Sequence, residues 1–389
     1  MKLAERMSRL GTETAFEVLV KARALEAQGR DIVHLEVGEP DFPTAPNIVE
    51  AGIRALRDGK TKYTPSAGIL ELREVIAEHV STTRGVSITP NQVVVTPGAK
   101  PIMFFSILAL VDAGDEVLYP NPGFPIYESM INYCGGTPVP YVLREENNFR
   151  FDPDEFRAKA NPKTKMIIIN SPQNPTGGVL EPDDLQVIAE VANKYDAVIF
   201  TDEIYNEMLY DGKFSSLLSV PTLSERLVML DGFSKSYAMT GWRLGWGIMP
   251  APLAEHITRL QTNSNSCVAG FVQYAGIEAL KGPQDSVRQM VAAFKERRDV
   301  IVEGLNAVPG FKCLKPRGAF YAFPNVRATS WDSRKLADYL LCEAGVACLS
   351  GTAFGSAGEG YVRFSYANSL ENIKKALTRI REAVEKIQD

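Results

Sequence analysis

Two hydrophobic periods alternate along the chain. Apolar residues recur at helical spacing over Thr14 to Gly29, Asn47 to Asp58 and Leu70 to Arg84. Between and after them stand short, near-continuous apolar runs: Gln92 to Thr96, Glu116 to Tyr119, Val139 to Leu143, Met166 to Asn170, Ala197 to Phe200, Leu227 to Leu230 and Trp242 to Met249. Strands apolar on both sides and separated by helical segments predict a largely parallel sheet with helices on both faces. Past Gln261 the pattern turns helical over Phe271 to Ala279 and Gln284 to Asn306. The remainder alternates strands (Phe311 to Leu314, Gly318 to Phe323, Tyr361 to Tyr366) with helices (Ser333 to Ala344, Leu370 to Gln388), while near the start Ile32 to Val37 reads as a further short strand. The expected fold is α/β, with a three-layer large domain over residues 46–285 built on a mostly parallel sheet. A smaller α+β domain would be made from the N-terminal arm (1–45) and the C-terminal part (286–389). A chain of 389 residues, 45% of them hydrophobic, can bury cores of that size.

Ligands of such sheets sit beyond the carboxyl ends of the strands, so the polar residues that follow each apolar run carry the candidate chemistry. After Thr96 comes Pro97-Gly98-Ala99-Lys100-Pro101, a turn in which the backbone can approach a ligand and open a helix whose N–H groups attract anions. Such turns also occur without a ligand. After Ile169 comes Asn170-Ser171-Pro172-Gln173-Asn174-Pro175-Thr176-Gly177-Gly178, after Phe200 Thr201-Asp202-Glu203-Ile204-Tyr205, and after Leu230 Asp231-Gly232-Phe233-Ser234-Lys235. A carboxylate at the end of a buried strand needs a cation or donors. For Asp202 a protonated pyridine nitrogen would serve, and so would a helix cap.

Lys235 and Arg243 stand on the connection between two buried strands. A lysine shielded from water and flanked by a second cation is pushed toward its neutral, nucleophilic form, which makes Schiff bases with aldehydes. The planar fork of an arginine suits a phosphate. Together the pair could hold a phosphorylated aldehyde at both ends, a description that pyridoxal 5'-phosphate meets. Arg363, isolated among Tyr361, Val362 and Phe364, could snorkel, pair, or clamp a carboxylate.

Composition narrows the partners. The net charge is −5, the pI is near 5.5, and basic residues are scattered among acidic ones, which argues against nucleic acid. Five widely spaced cysteines without a CxxC pair fit reduced, buried thiols in a cytoplasmic protein, and no metal site is expected. The N-terminal MKLAERMSRL lacks a continuous apolar core of the secretory kind. The longest apolar run, Met103 to Val111, is broken by Ser106 and too short to span a bilayer.

Seven landmarks in order make the chain resemble the class I/II aminotransferases of the pyridoxal-phosphate fold type I group. They are Gly38-Glu39-Pro40-Asp41, Tyr63, Gly98-Ala99-Lys100, Asn174-Pro175-Thr176-Gly177, Asp202-Glu203-Ile204-Tyr205, Ser234-Lys235 through Gly241-Trp242-Arg243, and Val362-Arg363-Phe364-Ser365. The resemblance implies that Lys235 carries the cofactor, Asp202 pairs with its ring nitrogen, Tyr205 and Asn174 bond its 3'-oxygen, and Phe124 stacks on the ring. It further implies that Gly98, Ala99, Lys100, Ser234 and Arg243 hold the phosphate, with Tyr63 donated by the other subunit of a homodimer. Arg363, helped by Asn174 and the backbone at Gly38, would grip the carboxylate of an amino acid or 2-oxo acid. Gly232 departs from the pattern, since many relatives carry a serine there, so Ser234 or Ser236 would supply the hydroxyl. Lys100 matches a position that contacts a side-chain carboxylate in one subgroup, whereas Phe16 in the arm suggests an apolar substrate contact. The expected activity is ping-pong transamination. A β-lyase acting on sulfur amino acids is the nearest alternative, and a non-catalytic binding module a remote one.

Overall fold

The computed structural model describes residues 1–388. The described residues form thirteen strands: β1 Val33–His34, β2 Val93–Thr96, β3 Glu116–Asn121, β4 Thr137–Arg144, β5 Arg150–Phe151, β6 Thr164–Asn170, β7 Val198–Asp202, β8 Leu227–Gly232, β9 Gly245–Ile248, β10 Tyr321–Ala322, β11 Val346–Ala347, β12 Leu349–Ser350 and β13 Val362–Ser365. Eight of them form one sheet in the order β2-β9-β8-β7-β6-β3-β4-β5. Its centre is parallel, β9 runs antiparallel to both of its neighbours, and β5 is antiparallel at the edge.

Both faces of this sheet are covered, and the side chains show it. Along β6, Met166 and Ile168 enter one apolar cluster while Ile167 and Ile169 enter another. Along β8, Val228 and Leu230 join the first cluster, Leu227 and Met229 the second. Successive side chains of a strand point to opposite faces, so a sheet sandwiched between helices selects unbroken apolar runs. The helices end where local chemistry stops them. Helix α1 (Thr14–Glu26) runs out just before Gly29, α2 (Pro46–Arg57) starts on its proline, and α3 (Leu70–Arg84) is closed by Gly85 at φ +67°. Helix α4 (Lys100–Leu110) follows β2 through the Gly98 turn, and α5 (Ile126–Cys134) follows β3.

The C-terminal part carries the small sheet β10-β13-β12 and, with β1 from the N-terminal arm, the pair β1-β11, packed with the long helices 285–306 and 370–388. Here the expected strands shrink. Phe311 to Leu314 is not a strand: the Asn306 side chain takes both the Cys313 N–H and its carbonyl, leaving one isolated bridge between Lys312 and Asn325. Gly318 to Phe323 shortens to Tyr321–Ala322 because Ala319, at φ +57°, bonds instead to the Met208 carbonyl. Ile32 to Val37 pairs only at Val33–His34, since the Glu36 carbonyl is taken by the Arg363 side chain. None of the five cysteines is disulfide-bonded. Cys313 and Cys348 are buried, whereas Cys134, Cys267 and Cys342 are half-buried rather than core residues as expected. Among the described residues no helix is long and apolar enough to cross a membrane.

Candidate active site

The carboxyl ends of β6, β7 and β8 open into a cavity of about 560 Å³. Asn170 and Asp202 are register partners at the ends of β6 and β7. The Asn170 side chain donates to the Asp202 carbonyl (3.0 Å), and its Oδ1 accepts from the Asn174 N–H (2.9 Å), which fixes the loop bearing Asn174. The Asp202 carboxylate accepts from the Tyr127 hydroxyl (2.6 Å) and the Ile204 N–H (3.2 Å). Burial nevertheless pushes its pKa up to about 6 against those two donors. Glu203 turns away from the cavity to meet Arg84 (3.1 Å) and Ser216 (2.6 Å), so the paired carboxylates have separate surroundings.

Lys235 lies on the connection between β8 and β9, as expected, and its ammonium donates to the Gly38 carbonyl at 2.5 Å. Burial lowers its pKa to about 8; the Glu39 carboxylate opposes that shift, and Arg363 and Arg243 add to it. Shielding does more here than the neighbouring cation, and the cations include Arg363 as well as Arg243.

Arg243, at φ +55°, donates to the Thr240 carbonyl (2.8 Å) and lies along Gly98. A Cβ on Gly98 would stand 2.1 Å from the Arg243 guanidinium, and Gly98 also holds φ +85°, so glycine is required twice over. Gly98 thus shapes the site through Arg243 rather than lining it, while Ala99 and Lys100 line it directly. Ser234 faces the cavity. The Ser236 hydroxyl does not, and is buried with no hydrogen-bond partner among the described residues. At Gly232 a Cβ would stand 3.0 Å from the Gly245 backbone and 3.3 Å from the Ala99 side chain, a tight fit for any side chain there.

Arg363 projects from β13 into the same cavity. It donates to Asn174 Oδ1 (2.9 Å) and to the Glu36 carbonyl, lies over the rings of Tyr321 (4.4 Å) and Phe354 (4.8 Å), and keeps a buried Nε without a partner among the described residues. Tyr205 shares a hydrogen bond with Tyr321 (2.7 Å), whose hydroxyl leaves no room for a side chain at Gly38: a Cβ there would be 1.9 Å away. Phe124 meets Tyr127 edge-on at 5.6 Å.

Of the residues singled out in the sequence, Gly98 and Ser236 lie just behind the lining, whereas Tyr63 stands apart on the surface, 91% exposed and outside the cavity. Sequence reasoning missed Tyr127 and Tyr321, and noted Asn170 only as a strand end. A tyrosine inside a helix or a short strand gives no local sign that its hydroxyl reaches across elements to a carboxylate or phenol.

The helix-covered sheet thus brings a shielded lysine, a strand-end carboxylate and two arginines into one cavity, the arrangement of an enzyme site for small anionic substrates. The family model for "Aminotransferase class I and II" matches residues 30–380, and the chain belongs to that family. It is 43% identical to a probable aspartate/prephenate aminotransferase of Aquifex aeolicus over 99% of both chains. It is 40% identical to an aspartate aminotransferase of Pyrococcus horikoshii, covering 98% of this chain and 97% of that one. Its fold superposes on the aspartate aminotransferase of Thermus thermophilus with maleate at a TM-score of 0.94, with 38% identity over 98% and 100% of the two chains. The chemistry of the chain is amino-group transfer between an amino acid and a 2-oxo acid.

Proposed function

We propose that this transfer uses pyridoxal 5'-phosphate, held between Lys235, Asp202 and Arg243. The observation that carries the reading is geometric: Lys235, Asp202 and Arg243 line one cavity at the carboxyl ends of β7 and β8, where burial lowers the amine to about 8 and raises the carboxyl to about 6. The residues fit the cofactor. Asp202 has neutral donors but no cation in contact, so a protonated ring nitrogen would offset its burial. Arg243, with room made for it by Gly98, and the N–H groups at Ala99 and Lys100, with Ser234, would receive the phosphate, and Tyr205 and Asn174 the ring oxygen. Phe124 would cover the ring. Tyr63, too far out to serve its own site, fits donation across a homodimer, as Tyr63 of the partner subunit. Residues 46–285 would hold the cofactor, and 1–45 with 286–389 would form the smaller unit, which supplies Gly38 and Arg363.

When bound, the cofactor supplies an aldehyde to take up the amino group and a ring to accept the electron pair left at Cα. Arg363, with Asn174 beside it, clamps the substrate carboxylate and so fixes the orientation of the Cα–H bond. Lys235, whose neutral form burial favours, would move the substrate's Cα proton once its amine is free. Asp202 keeps a negative charge at the far edge of the site, and Tyr205 with Tyr321 presents a hydroxyl pair at the near one. Assays with a panel of amino donors against pyruvate and 2-oxoglutarate test the reading. One oxo acid should form for each acceptor consumed, and release of pyruvate and ammonia from cysteine-type donors without an acceptor would contradict it in favour of a lyase.

A further inference from the structure

Four cations face the cavity. Lys235 contacts Gly38 and Arg363 grips Asn174 at the proposed reacting end, while Arg243 lies along Gly98 on the side proposed for the phosphate. Lys100 is the fourth. It opens α4, its ammonium sits 5.3 Å from the centroid of the Phe124 ring, and it is closed by an ion pair with Glu13. Glu13 comes from the opposite wall: it is the residue before α1, in the arm whose Phe16 also lines the cavity.

Glu13 does not act as a cap, for among the described residues no N–H of α1 donates to its side chain. The carboxylate is the more enclosed partner, 17% exposed against 46% for Lys100, so the pair is held inside the cavity from the arm. Its charge also reaches the reacting end, opposing the lowering that burial imposes on Lys235 and Arg363 and adding to the raising that burial imposes on Tyr321.

A carboxylate kept on that lysine alters what a substrate side chain meets. A second substrate carboxylate finds Lys100 already neutralised and a like charge beside it, which disfavours it strongly in a partly desolvated site. An uncharged side chain meets the Phe16 and Phe124 rings and loses no ion pair. We propose that Glu13 is a specificity-determining residue: by occupying Lys100 it turns the site toward monocarboxylic amino acids with apolar or aromatic side chains, and against aspartate, glutamate and their oxo acids. The inference rests on the amino-transfer reading, and it argues against carrying over the aspartate in the relatives' names.

The test is binding of inert acids to the holoenzyme by calorimetry, with succinate as the dicarboxylate and 3-phenylpropionate as the monocarboxylate. Wild type should bind 3-phenylpropionate more tightly than succinate. Glu13→Gln should shift the ratio of the two affinities toward succinate by about tenfold, and adding Lys100→Ala should cancel that shift. Tighter succinate binding by wild type, a ratio unmoved in Glu13→Gln, or a shift that survives without Lys100 would each overturn the proposal. Glu13→Ser serves if the glutamine variant does not fold. Because no turnover is needed, the predicted binding ratios with no oxo acid formed from alanine or phenylalanine would sink the functional reading and leave this one standing.

Discussion

Tyr127 is fully buried and donates one of the two hydrogen bonds to the Asp202 carboxylate, at 2.6 Å. Tyr127→Phe removes a single oxygen and keeps the ring against Phe124, so the fold should persist. A hydrogen bond to a charged group contributes about 1.5–3 kcal/mol, and one pKa unit corresponds to about 1.4 kcal/mol. Asp202, already raised to about 6, should therefore climb by roughly one to two units. At neutral pH its ionised fraction then falls from about nine-tenths to somewhere between about one half and one tenth. Only the ionised carboxylate attracts a protonated ring nitrogen, so the affinity for pyridoxal 5'-phosphate should weaken roughly two- to tenfold at neutral pH. The sign follows from the raised pKa: binding is lost as pH falls through the Asp202 value, and the loss should begin about one to two units higher in the variant. Titrating cofactor-free protein with pyridoxal 5'-phosphate across this range, following the absorbance of the bound cofactor, measures both effects. A midpoint that stays at the wild-type value, or moves down, would refute the pairing of Asp202 with the cofactor ring.

Three further outcomes are expected. The rate at which cofactor-free protein takes up pyridoxal 5'-phosphate should rise with pH around a midpoint near 8, because burial favours the neutral Lys235 amine, and a midpoint at the ordinary 10.5 would contradict the shielding. Gly98→Ala drives a Cβ into Arg243 and demands φ +85° of an alanine, so it should weaken pyridoxal 5'-phosphate binding by about tenfold or more while affecting pyridoxal, which lacks the phosphate, much less. If Tyr63 acts across a homodimer, Tyr63→Ala and Lys235→Ala, each poorly active, should regain about one quarter of wild-type activity when refolded together, since half of the dimers are mixed and each holds one intact site. No recovery on mixing would place Tyr63 outside the chemistry.

How far the sequence foretold the molecule depended on whether the signal was local. Strands β6, β7 and β8 lie between apolar clusters on both faces, so their unbroken runs gave them away, and the polar residues at their ends proved to line the cavity. The strands near Phe311 and Gly318 misled because side chains and loops from elsewhere, Asn306 and Met208, claimed their backbone groups. Lys235 was legible as a cation between buried strands, but the depth of its shielding comes from Gly38 and Arg363, which lie more than one hundred residues away in the chain. Tyr127, Tyr321 and the Glu13–Lys100 pair were illegible for the same reason: each matters through a partner that only the folded chain brings within reach.

The Lys235 amine is the proposed point of covalent attachment for the cofactor. Reducing the holoenzyme with borohydride, digesting it and locating the pyridoxyl-phosphate mass by tandem spectrometry tests this directly. The expected result is a single modified residue, Lys235, in the peptide between Gly232 and Arg243. Modification of another lysine such as Lys100, or none in a protein that still transfers amino groups, would contradict it.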